Sequence, residues 1–186
     1  MIDTETNWVD EVMSVGVVLA DAASLLPLAS RYYIFPREAE VGGMYESSLY
    51  TDTACAPLHL SRKEALADIG AFLNEAGVDE VFAYNARFDA GHLPELDGFF
   101  WYDIMRLASY RQYNRFIPET AELCSTGRLR RGFGVERILR MLAGECSYAE
   151  THNAVRDAED ELTIMRLLAL PLTEYRIALI RGKNRA

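Results

Sequence analysis

The stretch FAYNARFDAGHLPEL, residues 82–96, decides the fold. Its opening residues complete the apolar run VDEVFAY at 78–84, which has the length and composition of a buried strand. Asn85 interrupts that run, and residues 88–96 read as a helical turn. A strand that hands over to a helix within a few residues is the building unit of an α/β domain. It also sets Asp89 just beyond a strand end, where ligand sites of such folds collect. A carboxylate at the head of a helix also suits the capping of free amides, so Asp89 taken alone leaves both roles open.

Upstream, Ser61-Arg62-Lys63-Glu64 matches a capping box that opens a helix. Ala65, Ile69, Phe72 and Leu73 fall on one face of it, and Gly77 closes it. Before that, the Val-rich residues 11–21 (EVMSVGVVLAD) and residues 30–35 (SRYYIF) predict strands, the second stopped by Pro36. Residues 41–53, with Gly42-Gly43, predict a turn followed by irregular structure or an edge strand. Downstream, residues 99–102 predict a short strand, and residues 104–113 and 135–142 predict helices. The clearest helix covers residues 153–170, with Val155, Leu162, Met165 and Leu168 apolar and Pro171 ending it. Residues 172–182 suit either a helix or a strand. Strands first, then alternating helices and strands, predict an α/β fold with a mixed central sheet flanked by helices. One domain is expected over residues 1–186, with 171–186 as a peripheral tail.

The chain has 186 residues, half of them hydrophobic and a quarter charged, with ten Tyr and eight Phe. Such a chain can bury enough apolar surface to offset its ordering entropy. Its first residues, MIDTETNWVDE, are acidic, the wrong polarity for a secretory or transit signal. Apolar runs are far shorter than the ~20 residues of a membrane-spanning helix. The odd, scattered Cys55, Cys124 and Cys146 suggest neither a disulfide framework nor a zinc site. The expectation is a cytoplasmic protein with no membrane partner and with its oligomeric state open. The formal charge of −9 is unevenly spread: residues 104–140 hold eight arginines against three glutamates, a local balance of +5. That segment suits phosphate contacts or, equally, a solvated helical face.

Three acidic patches stand out. In Asp3-Thr4-Glu5, residues two apart on a strand point to the same side, so both carboxylates enter one space and repel unless a cation lies between them. The second patch carries Asn85, Phe88 and Asp89. In the third, THNAVRDAEDEL, His152 precedes Asp157 by five residues, about 500° on a helix, which takes them off a shared face. His152 therefore belongs on the lead-in, with Asn153 as the cap and Asp157 just over one turn inside. Asp160, in the same patch, suits the surface equally well.

In this order and spacing the patches resemble the DnaQ-like exonucleases, the DEDDh subgroup of the RNase H-like superfamily. That family includes polymerase proofreading subunits, oligoribonuclease and RNase T. Its Asp-x-Glu motif is matched by Asp3 and Glu5, its aspartate after an asparagine and a phenylalanine by Asn85, Phe88 and Asp89, and its His-x4-Asp by His152 and Asp157. Asp103 resembles the family's aspartate after the next strand, and the likeness runs from Asp3 to about residue 168. Only Met1 and Ile2 precede Asp3, fewer strand residues than the family usually has. Where the family commonly follows Glu-Thr with Thr or Gly, this chain has Asn7 and Trp8 after Thr6.

The resemblance implies a 3′–5′ exonuclease acting on DNA or RNA ends, single-stranded or short, with two divalent ions, Mg2+ or Mn2+. Hard oxygen ligands suit those ions. It implies that Asp3 bridges both ions, that Glu5 and Asp157 hold the ion that activates water, and that Asp89 serves the second. His152 would take the proton from the attacking water. Thr6, Trp8, Asn85 and Phe88 are candidate substrate contacts; Trp8 would stack on a base or else pack in the core. Two other readings are an oligonucleotide-specific hydrolase on the same fold and a catalytically silent domain that binds nucleic acid or protein.

Overall fold

The architecture, a computed structural model describing residues 1–51 and 55–182, is mixed α/β. Strands β1 (Ile2–Thr6), β2 (Val12–Ala20), β3 (Pro27–Ile34) and β4 (Leu58–His59) form one sheet in that order. Its β1–β2 and β2–β3 pairs are antiparallel and its β3–β4 pair is parallel. Strands β5 (Glu80–Ala83), β6 (Phe100–Asp103) and β7 (Leu179–Arg181) form a second, with β5–β6 parallel and β6–β7 antiparallel. The helices are α1 (Pro36–Ala39), α2 (Arg62–Glu75), α3 (Arg87–His92), α4 (Met105–Ala108), α5 (Val135–Ala143) and α6 (Ala154–Leu168).

The single central sheet expected from the sequence is therefore two. β1 lies beside β5, yet the two share no backbone ladder. Side chains take over the bonding at this seam: Thr4 Oγ1 donates to Asp89 Oδ1 at 2.8 Å, and the Tyr84 amide at the end of β5 donates to the Glu161 carboxyl.

Both sheets are covered on both faces. Ile2, Val15, Val17, Val81, Ala83 and Trp101 pack against Ala65, Ile69 and Leu73 of α2 in a cluster that runs beneath the seam. On the opposite face Val18, Tyr32 and Ile34 meet Ala154, Val155, Ala158 and Leu162 of α6. Phe82, Tyr84 and Tyr102 meet α5 and the far end of α6. Two-sided burial explains why β2 is a Val-rich run rather than an alternating one. Gly16, in the middle of β2, sits where α6 comes closest: a Cβ there would lie 2.1 Å from the Ala154 carbonyl oxygen.

The capping box is present, with the Ser61 side chain accepting from the Glu64 amide and Glu64 accepting from the Ser61 amide. Gly77, with φ +67°, follows the helix as expected. Several expected boundaries move. β3 starts at Pro27, a first-strand position that needs no amide, and Pro36 opens α1 instead of only ending a strand. Residues 41–51 form turns and a 3₁₀ turn at Glu46–Ser48, not an edge strand; residues 52 and 53 of that expectation lie outside the described residues. The helix expected over 104–113 stops at Ala108. There Asn114 Nδ2 takes the Ala108 carbonyl at 2.7 Å, and Ser109 Oγ takes that of Met105 at 2.7 Å. The tail is both of the alternatives, a 3₁₀ helix at Leu172–Ala178 and then β7. As far as Gly182 it is not peripheral: Tyr175 and Ala178 are fully buried, because they cover the apolar face of β6. Cys55, Cys124 and Cys146 are free thiols. Among the described residues, no helix is long and apolar enough to cross a membrane.

Gly16→Ala should force α6 off β2 and cost about 1–3 kcal/mol of stability, the scale of overpacking. Gly70→Ala, in α2 with nothing within 4 Å of the new Cβ, should gain up to ~1 kcal/mol by helix propensity. Urea unfolding of both variants checks this, and a Gly16→Ala protein as stable as the wild type would contradict the close packing.

Candidate metal centre

β1 carries Asp3 opposite Gly16 and Glu5 opposite Ser14 in the ladder with β2. The ladder begins at the first residue: the Met1 ammonium donates to the Val18 carbonyl at 2.8 Å, and the Val18 amide donates back to Met1 at 2.9 Å. Few residues precede Asp3, but all of them are paired. Strand alternation sends Asp3 and Glu5 to the same side, toward α6.

Asp89 arrives from the other sheet. β5 ends at Ala83, and Asn85 turns the chain with φ +58°. Asp103 Oδ1 clamps that turn, accepting from the amides of Asn85 at 3.0 Å and Met105 at 3.1 Å. Asp103 thus ties the ends of β5 and β6 together. Asp89 is not a helix cap, since Ala86 holds that position in α3. It is 2% exposed and is held through Thr4.

α6 delivers the last two groups. Asn153 caps it by accepting from the Arg156 amide, while its Nδ2 donates to the Ser48 carbonyl at 2.8 Å and toward the Tyr32 hydroxyl at 3.3 Å. That anchorage fixes the start of α6 on β3 and sets Asp157 one turn inside, 3% exposed. His152 lies on the lead-in with φ +55°, half-buried, its ring stacked on Tyr45 at 3.8 Å between centroids and 15° between planes. Ligand atoms of Glu5, His152 and Asp157 lie within 4.8 Å of one another.

The electrostatics follow from this crowding. Burial pushes the Asp3 carboxyl well above the usual range, and the charges of Glu161, Asp89, Asp157 and Glu5 push it further. Burial raises Glu5 to about 7, helped by Glu150 and Asp89. Burial also raises Asp89 to about 7 and, with Glu150 and Glu5, Asp157 to about 8. Burial lowers the pKa of His152, against a weaker opposing pull from Glu136. Asp3 Oδ2, Asp157 Oδ1 and Glu161 Oε2 are sealed from solvent and have no hydrogen-bond partner among the described residues. Buried acids with orphaned oxygens are costly unless they hold protons or face a cation. An all-oxygen set joined by one imidazole fits a hard divalent ion, with Asp3, Glu5, Asp89 and Asp157 as the groups able to hold it.

Of the five expected site residues, Glu5, His152 and Asp157 gather within 4.8 Å of one another, while Asp3 and Asp89 act on them through charge; the candidate substrate residues divide. Thr6, Trp8 and Phe88 line a cleft of about 440 Å³ next to Glu5, together with Met44 and Tyr45. Trp8 is 66% exposed on its rim, so it is not the core tryptophan that was the alternative. Asn85 is exposed at its turn and lies outside that cleft. Asn7 organises the turn that carries Trp8, accepting from the amides of Val9 and Glu11 and donating to the Glu38 carbonyl. Asp160 is tied to the Tyr148 hydroxyl. Sequence reasoning passed over Glu161, Glu150 and Tyr45. Glu161 carried a signal, since it falls four residues after Asp157 and so on the same helical face; nothing local marks the other two. Comparisons with protein-family models, with curated proteins and with solved structures give no match to this chain.

These shifts set a pH dependence. Unfolded, the carboxyls ionise near pH 4; folded, Glu5 and Asp89 hold protons up to about 7 and Asp157 up to about 8. The folded state binds more protons across that window, so stability is lost as the pH rises through it. Chelator-treated protein should unfold at a lower temperature near pH 8 than near pH 5, and the gain from added Mn2+ should grow over the same range. Thermal unfolding with EDTA or with Mn2+ checks this, and greater stability of the chelated protein near pH 8 would contradict it.

Proposed function

We propose that the chain is a metal-dependent 3′–5′ exonuclease of the DnaQ-like DEDDh type, built on an RNase H-like fold. The observation that carries this reading is the gathering of Glu5, His152 and Asp157 within 4.8 Å, with Asp3 and Asp89 close enough for their charges to act on the same group. A silent binding domain gains nothing from such a costly cluster. When bound, a pair of divalent ions would supply a polarised water and charge stabilisation for the departing 3′ oxygen.

The chain's own groups do the rest. Asp3, Glu5, Asp89 and Asp157 would hold the cations, and the burial of Glu5, Asp89 and Asp157 would exclude competing water. Burial favours the neutral form of His152, which leaves a ring nitrogen free to accept the proton of the attacking water. Tyr45 covers one face of the imidazole and leaves the ring edge to that task. The exposed ring of Trp8 and the half-exposed Phe88 give the cleft apolar surfaces on which a terminal base can stack.

The preferred substrate is a short single strand, for two reasons. The cleft of about 440 Å³ is small. The arginines of residues 104–140 are largely engaged within the protein. Arg111 donates to the Pro118 carbonyl, Arg131 pairs with Glu122, Arg140 pairs with Glu136, and Arg128 lies over Phe133. Five of the eight (Arg111, Arg115, Arg128, Arg130 and Arg131) lie outside the helices, so they do not form a solvated helical face. A long duplex needs many free phosphate contacts, which this distribution does not offer.

End-labelled DNA and RNA, incubated with Mg2+, Mn2+ or chelator, should be shortened from the 3′ end only when metal is present. Asp157→Ala should abolish this while the domain stays folded; surviving activity would remove Asp157 from the mechanism. His152→Ala should lower turnover by roughly 10²–10⁴-fold with little change in cation affinity, and an equal loss of metal binding would make it a ligand instead. Trp8→Ala should raise KM for a dinucleotide roughly tenfold, the scale of one stacked base, without lowering stability. An unchanged KM would remove Trp8 from the substrate site.

A further inference from the structure

We infer that Glu161 is a fifth carboxylate of the cation site and ligates directly through Oε2; this rests on the cation-binding reading above. Glu161 follows Asp157 by four residues on α6, so both side chains leave the same face of the helix, the face laid against β1. It is 2% exposed. The Tyr84 amide, at the end of β5, holds its carboxyl in place. Its Oε2 has no partner among the described residues. Its charge acts on Asp3 more strongly than that of any other acid, and it also acts together with Asp89 and Asp157. It therefore lies near Asp3, with its carboxyl at the seam where β1 and β5 lie side by side without a ladder.

A structural role would be a tie to the neighbouring chain terminus. The Met1 ammonium donates to the Val18 carbonyl at 2.8 Å and attracts Glu161 by charge, yet this tie leaves Oε2 without a hydrogen-bond partner among the described residues. One oxygen fixed by a backbone amide and the other orphaned beside Asp3 is the arrangement of a pre-positioned ligand. A carboxylate sealed from water is costly unless it holds a proton or faces a cation, and a bound cation would satisfy the orphaned Oε2 directly.

Mn2+ binding to the full chain, followed by calorimetry, tests this with Glu161→Gln, which keeps shape and removes charge. Affinity should fall at least about tenfold, and the chelated variant should unfold at a higher temperature than the chelated wild type. Asp160→Asn, whose native side chain is tied to Tyr148, should bind Mn2+ as the wild type does. Wild-type affinity in Glu161→Gln, or a lower unfolding temperature of its chelated form, overturns the inference and leaves the four-acid site standing. A wild type that binds no Mn2+ overturns both. Should Glu161→Gln fail to fold, anomalous scattering from a wild-type crystal soaked in Mn2+ decides. The inference requires an ion about 2.2 Å from a Glu161 oxygen, and an ion ligated by the other acids with Glu161 remote overturns it.

Discussion

Like-charged carboxylates forced together where β1, β5 and α6 meet are the constraint on which the rest of the architecture depends. Asp3, Glu5, Asp89, Asp157 and Glu161 are each drawn into one another's field, and burial is the largest influence on every one of them. A fold that only needed stability would place Leu or Val at such positions. The scaffold instead spends its strongest packing on holding the acids together. Apolar clusters lie on both faces of the sheets, and Gly16 lets α6 settle against β2 without a side chain between them.

The elements that carry the acids each have their own anchorage. Backbone pairing from Met1 to Thr6 holds β1. Asp103 binds the ends of β5 and β6 together and so aims α3. Asn153 joins the head of α6 to Tyr32 and Ser48. Removing the charge of one acid therefore leaves the positions of the others largely defined, which is what a preorganised site requires. Only His152 sits on irregular backbone, beside the cleft, where movement suits the proton-accepting role proposed for it.

Much of this was legible in the residues. Strand periodicity put Asp3 and Glu5 on one side, the strand-to-helix handover placed Asp89 at a sheet end, and the five-residue step from His152 to Asp157 put the histidine on the lead-in. These are local rules, and they read well from local sequence. The seam between the sheets was not legible, because whether β1 pairs with β5 depends on side chains such as Asp89 and Glu161, which take up the backbone amides of Thr4 and Tyr84. Glu161 went unread, because four residues after Asp157 it is marked only by sharing a helical face with it. The stacking of Tyr45 on His152 joins residues 107 positions apart, and no periodicity announces it. Trp8 is a rim residue because Asn7 folds its turn outward, a consequence of hydrogen bonds to Glu38 and Glu11 that composition does not reveal.

The central claim is that protons and divalent cations compete for one buried set of carboxylates. Calorimetric titration of Mn2+ in two buffers of different ionisation enthalpy measures the protons expelled on binding. With Glu5 and Asp89 near 7 and Asp157 near 8 in the free protein, binding near pH 7 should release about one proton or more, and fewer as the pH rises above 8. Binding with no proton release near pH 7, or no binding at all, would contradict the account.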